Sequence, residues 1–422
     1  MWVILIMVLK TIYKETEKIM NNCIVAESGG PTAAINASLA GVISGAKENG
    51  FDTVYGAYHG IQGFMNDEVV SLNDIDTLKL RNTPSMYLGS CRFMLPTADE
   101  DVETYKKIFE QFEKYEIKAF FYIGGNDSMD TVAKLSKYAK ENDIDVKCVG
   151  IPKTIDNDLC VTDHTPGYGS AAKFIATTLL EVSHDTAIYP INSVTIVEIM
   201  GRDAGWLTGA AALARNEYSA VPHLIYLPEA AFDKDDFIED VKTAIDKYHN
   251  VVIAISEGIK DKDGTYITAG VAAEDKFGHS QLSGAGKALE YIIKDNIDVK
   301  VRSVEINIPQ RTAGHLTSYT DIDEAFDEGN FATEVAINGE TGVMITINRI
   351  SDFPYATTLG TTDVNDVAGL VKHVPREWIN ERGNDVTDEF ITYAKPLIQG
   401  EVNLNFKDGL PDYYDIKHLT NI

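Results

Sequence analysis

Basic side chains are scarce in this sequence. Its 422 residues include 37 lysines and arginines against 64 aspartates and glutamates, which gives a formal net charge of −27. Such an excess of negative charge repels nucleic-acid phosphates and anionic lipid surfaces. The composition therefore argues against a nucleic-acid-binding protein and against docking on acidic membranes. A local cluster of cations can still bind a small anionic substrate inside a cleft.

Cysteine is also rare, with four in the whole chain. Cys23, Cys91, Cys148 and Cys160 show no CxxC spacing, and they are too few for a disulfide framework. We therefore expect free thiols and a reducing, cytoplasmic location.

The apolar stretch at the N-terminus is too short to cross a bilayer. It covers residues 1–9, whereas a membrane helix needs roughly 20 residues. Without a basic segment before it or a small-residue cleavage site after it, it is not typical of a secretion signal. Met20 is a more natural start, because the first predicted core strand begins just after it. We therefore interpret residues 1–19 as an extension without a role in function.

Short apolar runs alternate with helical stretches along the chain, a pattern typical of an α/β fold. One predicted helix, 128–142, has a buried face formed by Met129, Val132, Leu135 and Ala139 at helical spacing. The strands that the pattern predicts are 23–26, 119–123, 147–151, 194–199, 223–227, 251–256, 301–306 and 343–348. The predicted helices are 33–48, 128–142, 169–183, 205–216, 234–247 and 284–295.

Two strand-to-helix turns are rich in glycine. They are AESGGPTAAINAS, residues 26–38, and YIGGNDSMDT, residues 122–131. Glycines allow the backbone to approach a ligand, and a helix N-terminus offers unpaired N–H groups to an anion. Neither turn fits GxGxxG or GxxxxGK[ST], so the pattern does not favour a dinucleotide site or a Walker site. Asp127 places a negative charge where an anionic ligand is expected.

The segment IPKTIDNDLC, residues 151–160, contains two acids separated by one residue. If the segment is extended, Asp156 and Asp158 point to the same side and can hold Mg²⁺ or divide the roles of base and metal ligand. An Asx turn that caps a helix is the alternative. The neighbouring Lys153 and Thr154 favour the first interpretation, because a cation and a hydroxyl beside acids suit a transferring phosphoryl group.

The segment IVEIMGRDAGWLTGAAALA, residues 196–214, predicts a strand, a Gly-Arg turn and a helix. At such a turn, Arg202 can present a two-pronged guanidinium to a phosphate. The alternative is an ordinary exposed surface arginine.

In this order, the four motifs resemble the phosphofructokinase family over about residues 22–321. TIDND followed by MGR carries the resemblance. The segments LGSCRF (88–93), SEG (256–258) and VRSVEINIPQR (301–311) add to it. The resemblance implies two Rossmann-like three-layer α/β domains with the active site in the cleft between them. A donor domain is expected over 20–167 plus roughly 310–400, a sugar-phosphate domain over 168–309, and a C-terminal segment over 401–422.

The resemblance also implies an activity, the Mg²⁺-dependent transfer of a phosphoryl group to the 1-hydroxyl of fructose 6-phosphate. Asp156 matches the position of the family's general base, which takes the proton of that hydroxyl. Arg302 is expected to reach a neighbouring subunit's site, which implies a homodimer or a homotetramer. The remaining catalytic residues are Lys153, Arg202 and Asp127. The expected sugar-phosphate contacts are Thr154, Asp156, Met200, Gly201, Arg202, Glu257, Arg302 and Arg311. The expected donor contacts are Gly29, Gly30, Arg92, Gly125 and Lys153, and the metal ligands are Asn126 and Asp158.

Departures from the family pattern indicate the donor. Where ATP-dependent members have GGDGS and PGTIDND, this chain has Asp127 and Lys153 in place of a glycine, as the pyrophosphate-dependent branch does. Two like charges about 4 Å apart repel by roughly 4 kcal/mol at an effective dielectric near 20, so Asp127 opposes the α-phosphate of ATP. Ile308 stands where many relatives have a sugar-phosphate-binding histidine.

The predicted function is therefore a pyrophosphate:fructose-6-phosphate 1-phosphotransferase. The alternatives are an ATP-dependent phosphofructokinase, a non-catalytic regulatory paralogue and a sugar-phosphate sensor. Because Asp156 and Arg202 are both present, the last two are disfavoured. Use of a second acceptor such as sedoheptulose 7-phosphate stays open, and no adenine pocket is evident.

Overall fold

The computed structural model describes residues 22–268, 273–274, 280–281 and 284–419, so the predicted extension 1–19 lies outside the described residues. The described strands are β1 Asn22–Glu27, β2 Thr53–Ala57, β3 Val69–Ser71, β4 Ile117–Gly124, β5 Lys147–Pro152, β6 Ser193–Ile199, β7 Leu224–Tyr226, β8 Asn250–Ser256, β9 Ala273–Glu274, β10 Ser280–Gln281, β11 Lys300–Glu305, β12 Val343–Asp352, β13 Tyr355–Asp363, β14 Phe406–Lys407 and β15 Leu410–Pro411.

The α-helices of the described residues lie between and after these strands. They are α1 Ile35–Glu48, α2 Gly60–Met65, α3 Thr77–Arg81, α4 Val102–Lys114, α5 Asn126–Glu141, α6 Tyr168–Thr186, α7 Trp206–Ala210, α8 Lys234–Tyr248, α9 Ala285–Asn296, α10 Pro309–Thr312, α11 Tyr319–Ile337 and α12 Asp388–Ala394. Short 3-10 helices span Ala211–Ala214, Gly314–Leu316, Val364–Asp366, Arg376–Trp378, Lys395–Ile398 and Lys417–Leu419.

Two sheets organise the chain. The first has seven strands in the order β13-β12-β5-β4-β1-β2-β3, parallel except for its two edge strands. The second has four parallel strands in the order β11-β6-β8-β7. The first sheet takes strands from both ends of the described chain, and the second takes them from residues 193–305. This arrangement agrees with the predicted α/β fold, while the exact domain boundaries stay predictions.

Helices cover both faces of the first sheet. Along β4, Phe120 and Tyr122 pack on one face with α5, and Phe121 packs on the other with α1 and α11. This alternation follows from the two-residue period of a strand. The predicted inner face of α5 is confirmed, because Met129, Val132, Leu135 and Ala139 are all buried.

Helices α1 and α11 pack together very closely. A Cβ on Gly41 would lie 2.0 Å from the carbonyl oxygen of Phe326, and one on Gly329 would lie 2.0 Å from that of Ser38. Each helix therefore needs a glycine at the point of contact. Because α11 follows the second sheet in sequence, the first core is completed only by the late part of the chain.

One predicted helix is partly wrong. The interval 205–216 forms α7 only over Trp206–Ala210 and then tightens into a 3-10 helix over Ala211–Ala214. The prediction of free cysteines is confirmed for all four. Within the residues that the structure describes, no helix combines the length and the apolar composition that a membrane crossing requires.

Candidate active site

The first glycine turn, residues 28–30, lies at the C-terminal end of β1 and holds a buried cation. The Lys153 ammonium, on a residue only 2% exposed, donates to the carbonyl oxygens of Ser28 and Gly30, each at 2.8 Å. Gly29 has φ +82°, and a Cβ there would lie 3.1 Å from Lys153 Nζ. A glycine is therefore needed so that the exposed turn can lie directly over this cation.

Lys153 is charged near neutral pH although it is buried. Burial lowers its pKa to about 8, against the attraction of Glu27 and Asp156. Burial raises the pKa of Glu27 to about 8, against its hydrogen bond from the Leu88 amide and the charge of Lys153. Sequence reasoning missed Glu27. Its signal was an acid at the last position of an otherwise apolar strand, directly before the glycine turn.

The second glycine turn leads into α5. Gly125 is the residue before the helix, and Asn126 and Asp127 form its first turn. Asn126 donates from its amide nitrogen to the carbonyl oxygen of Leu370 at 3.0 Å. Its Oδ1 atom is buried and has no hydrogen-bond partner among the described residues. Asp127 is exposed and adds a negative charge to the first turn of this helix.

The acidic turn, residues 154–158, is not extended, so the condition under which Asp156 and Asp158 would point to the same side is not met. Asn157 adopts the left-handed conformation, with φ +54°. The Asp156 amide donates to Thr154 Oγ1 at 3.1 Å, and no helix follows, so the helix-capping alternative is also wrong. Asn157 is fully buried, and its amide nitrogen donates to the Tyr393 hydroxyl at 2.7 Å. Asp156 and Asp158 on either side stay partly accessible.

Both acids of this turn have raised pKa values. For Asp156 the cause is burial, which outweighs the stabilising charges of Arg202, Lys153 and Arg311. For Asp158, burial and the neighbouring Asp156 charge raise the pKa to about 7. A carboxyl group with a raised pKa is suited to accepting a proton near neutral pH. Arg202 and Arg311 follow β6 and β11 of the second sheet, so charges from both sheets act on Asp156.

The second sheet contributes the other side of the cleft. Gly201, with φ +139°, donates its amide to Glu257 Oε1 at 3.2 Å, and its carbonyl accepts from the Ser256 hydroxyl. Arg202 Nε lies 3.1 Å from Asp203 Oδ2, and the arginine side chain is 34% exposed. Met200 donates its amide to Gln310 Oε1 at 3.2 Å. Burial raises the pKa of Glu257 to about 7.

The predicted phosphate-binding arginines separate into two places. Arg311 Nη1 lies 3.3 Å from the position of a Cβ on Gly30, so it joins the second sheet to the first glycine turn. Arg302 lies elsewhere: it is 48% exposed, and its Nη2 contacts Asp185 Oδ2 at 2.6 Å. The structure therefore does not bring Arg302 to the site of its own chain. Arg92 and Ile308 are both exposed.

A buried ionic network next to the acidic turn was also missed. His164 Nδ1 lies 2.8 Å from Asp163 Oδ2, and its Nε2 lies 2.7 Å from Glu324 Oε2. Arg349 pairs with Asp163 at 2.9 Å. The network ties the chain after the acidic turn to α11 and β12. Separated by about 160 residues along the chain, these partners left no local signal in the sequence.

Residues 22–324 match the phosphofructokinase family. The chain belongs to the phosphofructokinase family. It is 39% identical over 398 residues to the pyrophosphate–fructose 6-phosphate 1-phosphotransferase of Halomonas elongata, covering 93% of this chain and 95% of that one. The enzyme of the same name from Xanthomonas campestris is 38% identical, and the match covers 94% of this chain and 97% of that one.

A solved member of the family has the same fold. The pyrophosphate-dependent phosphofructokinase of Marinobacter aquaeolei superposes with a TM-score of 0.84 at 34% sequence identity, covering 93% of this chain and 95% of that one. The similarity therefore extends over both sheets.

Proposed function

We propose that this chain is a pyrophosphate:fructose-6-phosphate 1-phosphotransferase. It transfers a phosphoryl group reversibly from pyrophosphate to the 1-hydroxyl of fructose 6-phosphate, which gives fructose 1,6-bisphosphate and phosphate. The buried Lys153 cation beneath the first glycine turn carries the assignment, together with Asp127 in the first turn of α5. Relatives of that name along more than nine-tenths of the chain support it.

Asp156 is the general base of this proposal. Its raised pKa lets it accept the proton of the 1-hydroxyl as the oxygen attacks the terminal phosphorus. Arg202 and Arg311 then stabilise the negative charge that spreads over the transferring group. Lys153 neutralises the phosphate that leaves. Because these cations are fixed before the substrates arrive, little reorganisation is needed during transfer.

The second sheet binds the sugar in this proposal. Glu257 accepts from sugar hydroxyls, and the Met200 and Gly201 backbone supports the sugar in the cleft. Arg302 is proposed to bind the 6-phosphate of the fructose 6-phosphate in a neighbouring subunit's site, because in its own chain it faces solvent beside Asp185. We therefore propose a homodimer or a homotetramer, and a cytoplasmic enzyme, consistent with the free cysteines.

The residues present fit a magnesium ion. Asn126 offers a buried oxygen without a hydrogen-bond partner in the described part of the chain. Asp158 offers a carboxylate whose charge is poorly compensated. Oxygen ligands of this kind suit Mg²⁺, which is commonly held by one or two protein groups together with phosphates. When bound there, the ion would neutralise charge on the transferred phosphates. Asp158 would release its proton to serve as a ligand.

A donor assay tests the proposal. Purified protein is given fructose 6-phosphate and Mg²⁺ with either pyrophosphate or ATP, and fructose 1,6-bisphosphate is measured. We expect turnover with pyrophosphate and much less with ATP. Equal use of both donors would overturn the donor assignment and favour the ATP-dependent alternative. No turnover with either donor would favour the regulatory paralogue or the sensor.

Two substitutions at Asp127 distinguish the effect of its charge from the effect of its size. Asp127→Asn removes the charge and keeps the size, whereas Asp127→Gly removes both. We expect ATP binding to improve in each and more in the second, because repulsion and crowding are separate costs. Asp130→Asn, one helical turn further along α5, is the matched control. ATP affinity that stays unchanged in both Asp127 variants would contradict the role of this acid.

A further inference from the structure

The C-terminal segment crosses back over the donor side of the first sheet. We call residues 412–419 the C-terminal strap. Asp412 pairs with Lys79 at 2.8 Å, and the Tyr414 hydroxyl accepts from the Asp76 amide at 2.8 Å. Both contacts are to the region around α3, so they fasten the strap before it reaches its end.

The end of the strap packs against an aromatic pair. The His418 ring lies 5.1 Å from the ring of Tyr58 and 4.6 Å from that of Tyr87, between ring centres. His418 Nε2 also lies 2.7 Å from the Tyr87 carbonyl oxygen. Leu419 Cδ2 lies 3.1 Å from the position that a Cβ on Gly89 would occupy. The strap therefore covers the outer side of the loop 87–90.

The inner side of this loop faces the first glycine turn. The Ser90 hydroxyl donates to the Gly29 carbonyl oxygen at 2.8 Å, and the Leu88 amide donates to Glu27 at 2.7 Å. The Tyr87 amide donates to Asn36 Oδ1 at 2.9 Å. These bonds hold the loop in place independently of the strap. Loss of the strap end should therefore leave the glycine turn intact.

A series of contacts connects Asp156 to the end of the C-terminal strap. Asp156 interacts with Lys153, and Lys153 binds the turn that carries Gly29. The Ser90 hydroxyl binds the Gly29 carbonyl oxygen, and Leu419 lies beside the adjacent Gly89. Pyrophosphate requires only the part of this route near Lys153. Gly29 and Gly30 are exposed above Lys153, so a donor that continues beyond phosphates bound at this turn can extend over the turn toward the adjoining loop 87–90 and the residues that cover it.

We propose that the end of the strap is a second determinant of donor specificity. His418 and Leu419 fill the space beside Tyr58, Tyr87 and Gly89 that a nucleoside attached to a longer donor would need. Asp127 opposes a third phosphate, and the strap opposes the base and sugar beyond it. The inference rests on the proposed use of pyrophosphate as donor.

The test removes the side chains at the end of the strap and keeps its contacts with the region around α3. One variant combines His418→Ala with Leu419→Ala, and a second chain ends at Asp415, which keeps Asp412 and Tyr414. Ile416→Ala, an exposed apolar residue of the same strap, is the matched control. Each change is made in the parent and together with Asp127→Gly. Circular dichroism and thermal unfolding confirm the fold.

Calorimetry measures the affinity for ATP, and assays measure turnover with ATP, pyrophosphate and inorganic tripolyphosphate as donors. Opening the strap should tighten ATP binding about tenfold or more in the Asp127→Gly background, with turnover from ATP rising in parallel. Use of pyrophosphate and of inorganic tripolyphosphate, which has no nucleoside, should not change with the strap. The inference would be overturned if the strap variants bound ATP no more tightly than the unchanged strap, both in the parent and in the Asp127→Gly protein. If the parent fails to use pyrophosphate, the proposed function fails instead, and the calorimetric comparison is still informative.

Discussion

The carboxylate of Asp156 is placed by one turn and tuned by distant cations. Thr154 fixes its backbone, while Arg202, Lys153 and Arg311 oppose the pKa increase that burial causes. Asp156→Asn removes the proposed base and keeps the shape of the side chain, so kcat should fall by about 10²–10⁴-fold. The KM for fructose 6-phosphate should change little. Steady-state kinetics with pyrophosphate measures both constants.

The fold should survive this substitution, because a partly accessible turn carboxylate adds little to the core. Asp246→Asn, on the exposed face of α8, is the control and should retain full activity. Near-normal turnover of a folded Asp156→Asn protein would contradict the role of this residue.

Lys153 should impose an alkaline limit on pyrophosphate use. Its pKa is lowered to about 8 by burial, so raising the pH above that value converts the ammonium into a neutral amine. The kcat/KM for pyrophosphate, which reports on the free enzyme, should then fall about tenfold per pH unit. The measurement is a pH profile of kcat/KM from about pH 6.5 to pH 9.5.

Lys153→Arg is the comparison for this profile, because a guanidinium stays charged throughout. Its activity should be lower at every pH, since the larger group does not fit between the carbonyls of Ser28 and Gly30. The specific alkaline fall should nevertheless disappear. A parent profile that stays flat up to pH 9.5 would show that the charge of Lys153 is not required.

At the scale of an element, the chain after the acidic turn depends on the His164 network. Burial alone would lower the pKa of His164, but Glu324 and Asp163 outweigh it and raise the pKa to about 9. The stabilisation is therefore fully present below about pH 6.5, the ordinary value. It is lost as the pH rises through about 9. This amounts to at most about 3 kcal/mol.

Urea unfolding at pH 6.5 and at pH 9 measures this contribution. The midpoint of the parent should decrease between the two values, and His164→Gln should be less stable at pH 6.5 but much less sensitive to pH. The exposed His249→Gln is the control and should behave as the parent does. Equal pH sensitivity of His164→Gln and the parent would contradict the assignment.

The sequence predicted elements where a local period was strong. Most of the parallel strands were predicted to within a few residues, because each is a short apolar run between turns. The parallel strand β2, which pairs with β1, was missed. The antiparallel edge strands β3 and β13 and the helix α11 were missed. In α11, buried acids such as Asp321 and Glu328 interrupt the apolar stripe that periodicity detects.

The site was predictable as a set of motifs but not as a geometry. The glycine turns, the acidic turn and the Arg202 turn were all identified from short segments. The left-handed conformation of Asn157 was not, because it depends on a hydrogen bond to Tyr393, 236 residues away. The pairing of Arg311 with the first glycine turn likewise depends on how the two sheets meet.

At the scale of the whole molecule, Arg302 provides the test of the proposed oligomer. It points away from its own cleft, so Arg302→Ala should raise the KM for fructose 6-phosphate only if it completes another subunit's site. Mixing Arg302→Ala with Asp156→Asn chains should then restore activity, because some hybrid sites contain both intact residues. Activity is measured after the mixture is unfolded and refolded together.

Arg382→Ala, another surface arginine in ion pairs, is the control and should leave the KM unchanged. Mixed oligomers are verified by two different affinity tags. Mixtures that contain both tags but show no more activity than their separate components would contradict a shared site.

The close contact between α1 and α11 has a consequence for protein synthesis. The ribosome releases α1 early, but its partner α11 and the strand β12 follow only after the whole second sheet has been made. Between Pro152 and Val343 lie about 190 residues, which take about 10–40 s to translate at typical rates of 5–20 residues per second. During that interval the N-terminal half-sheet exposes the apolar edge of β5 and the glycine face of α1. The second sheet waits as well, because Val374, Phe390 and Leu397 belong to the same buried cluster as its own Val197 and Val252. Neither sheet can therefore complete its core until the last part of the chain has been made.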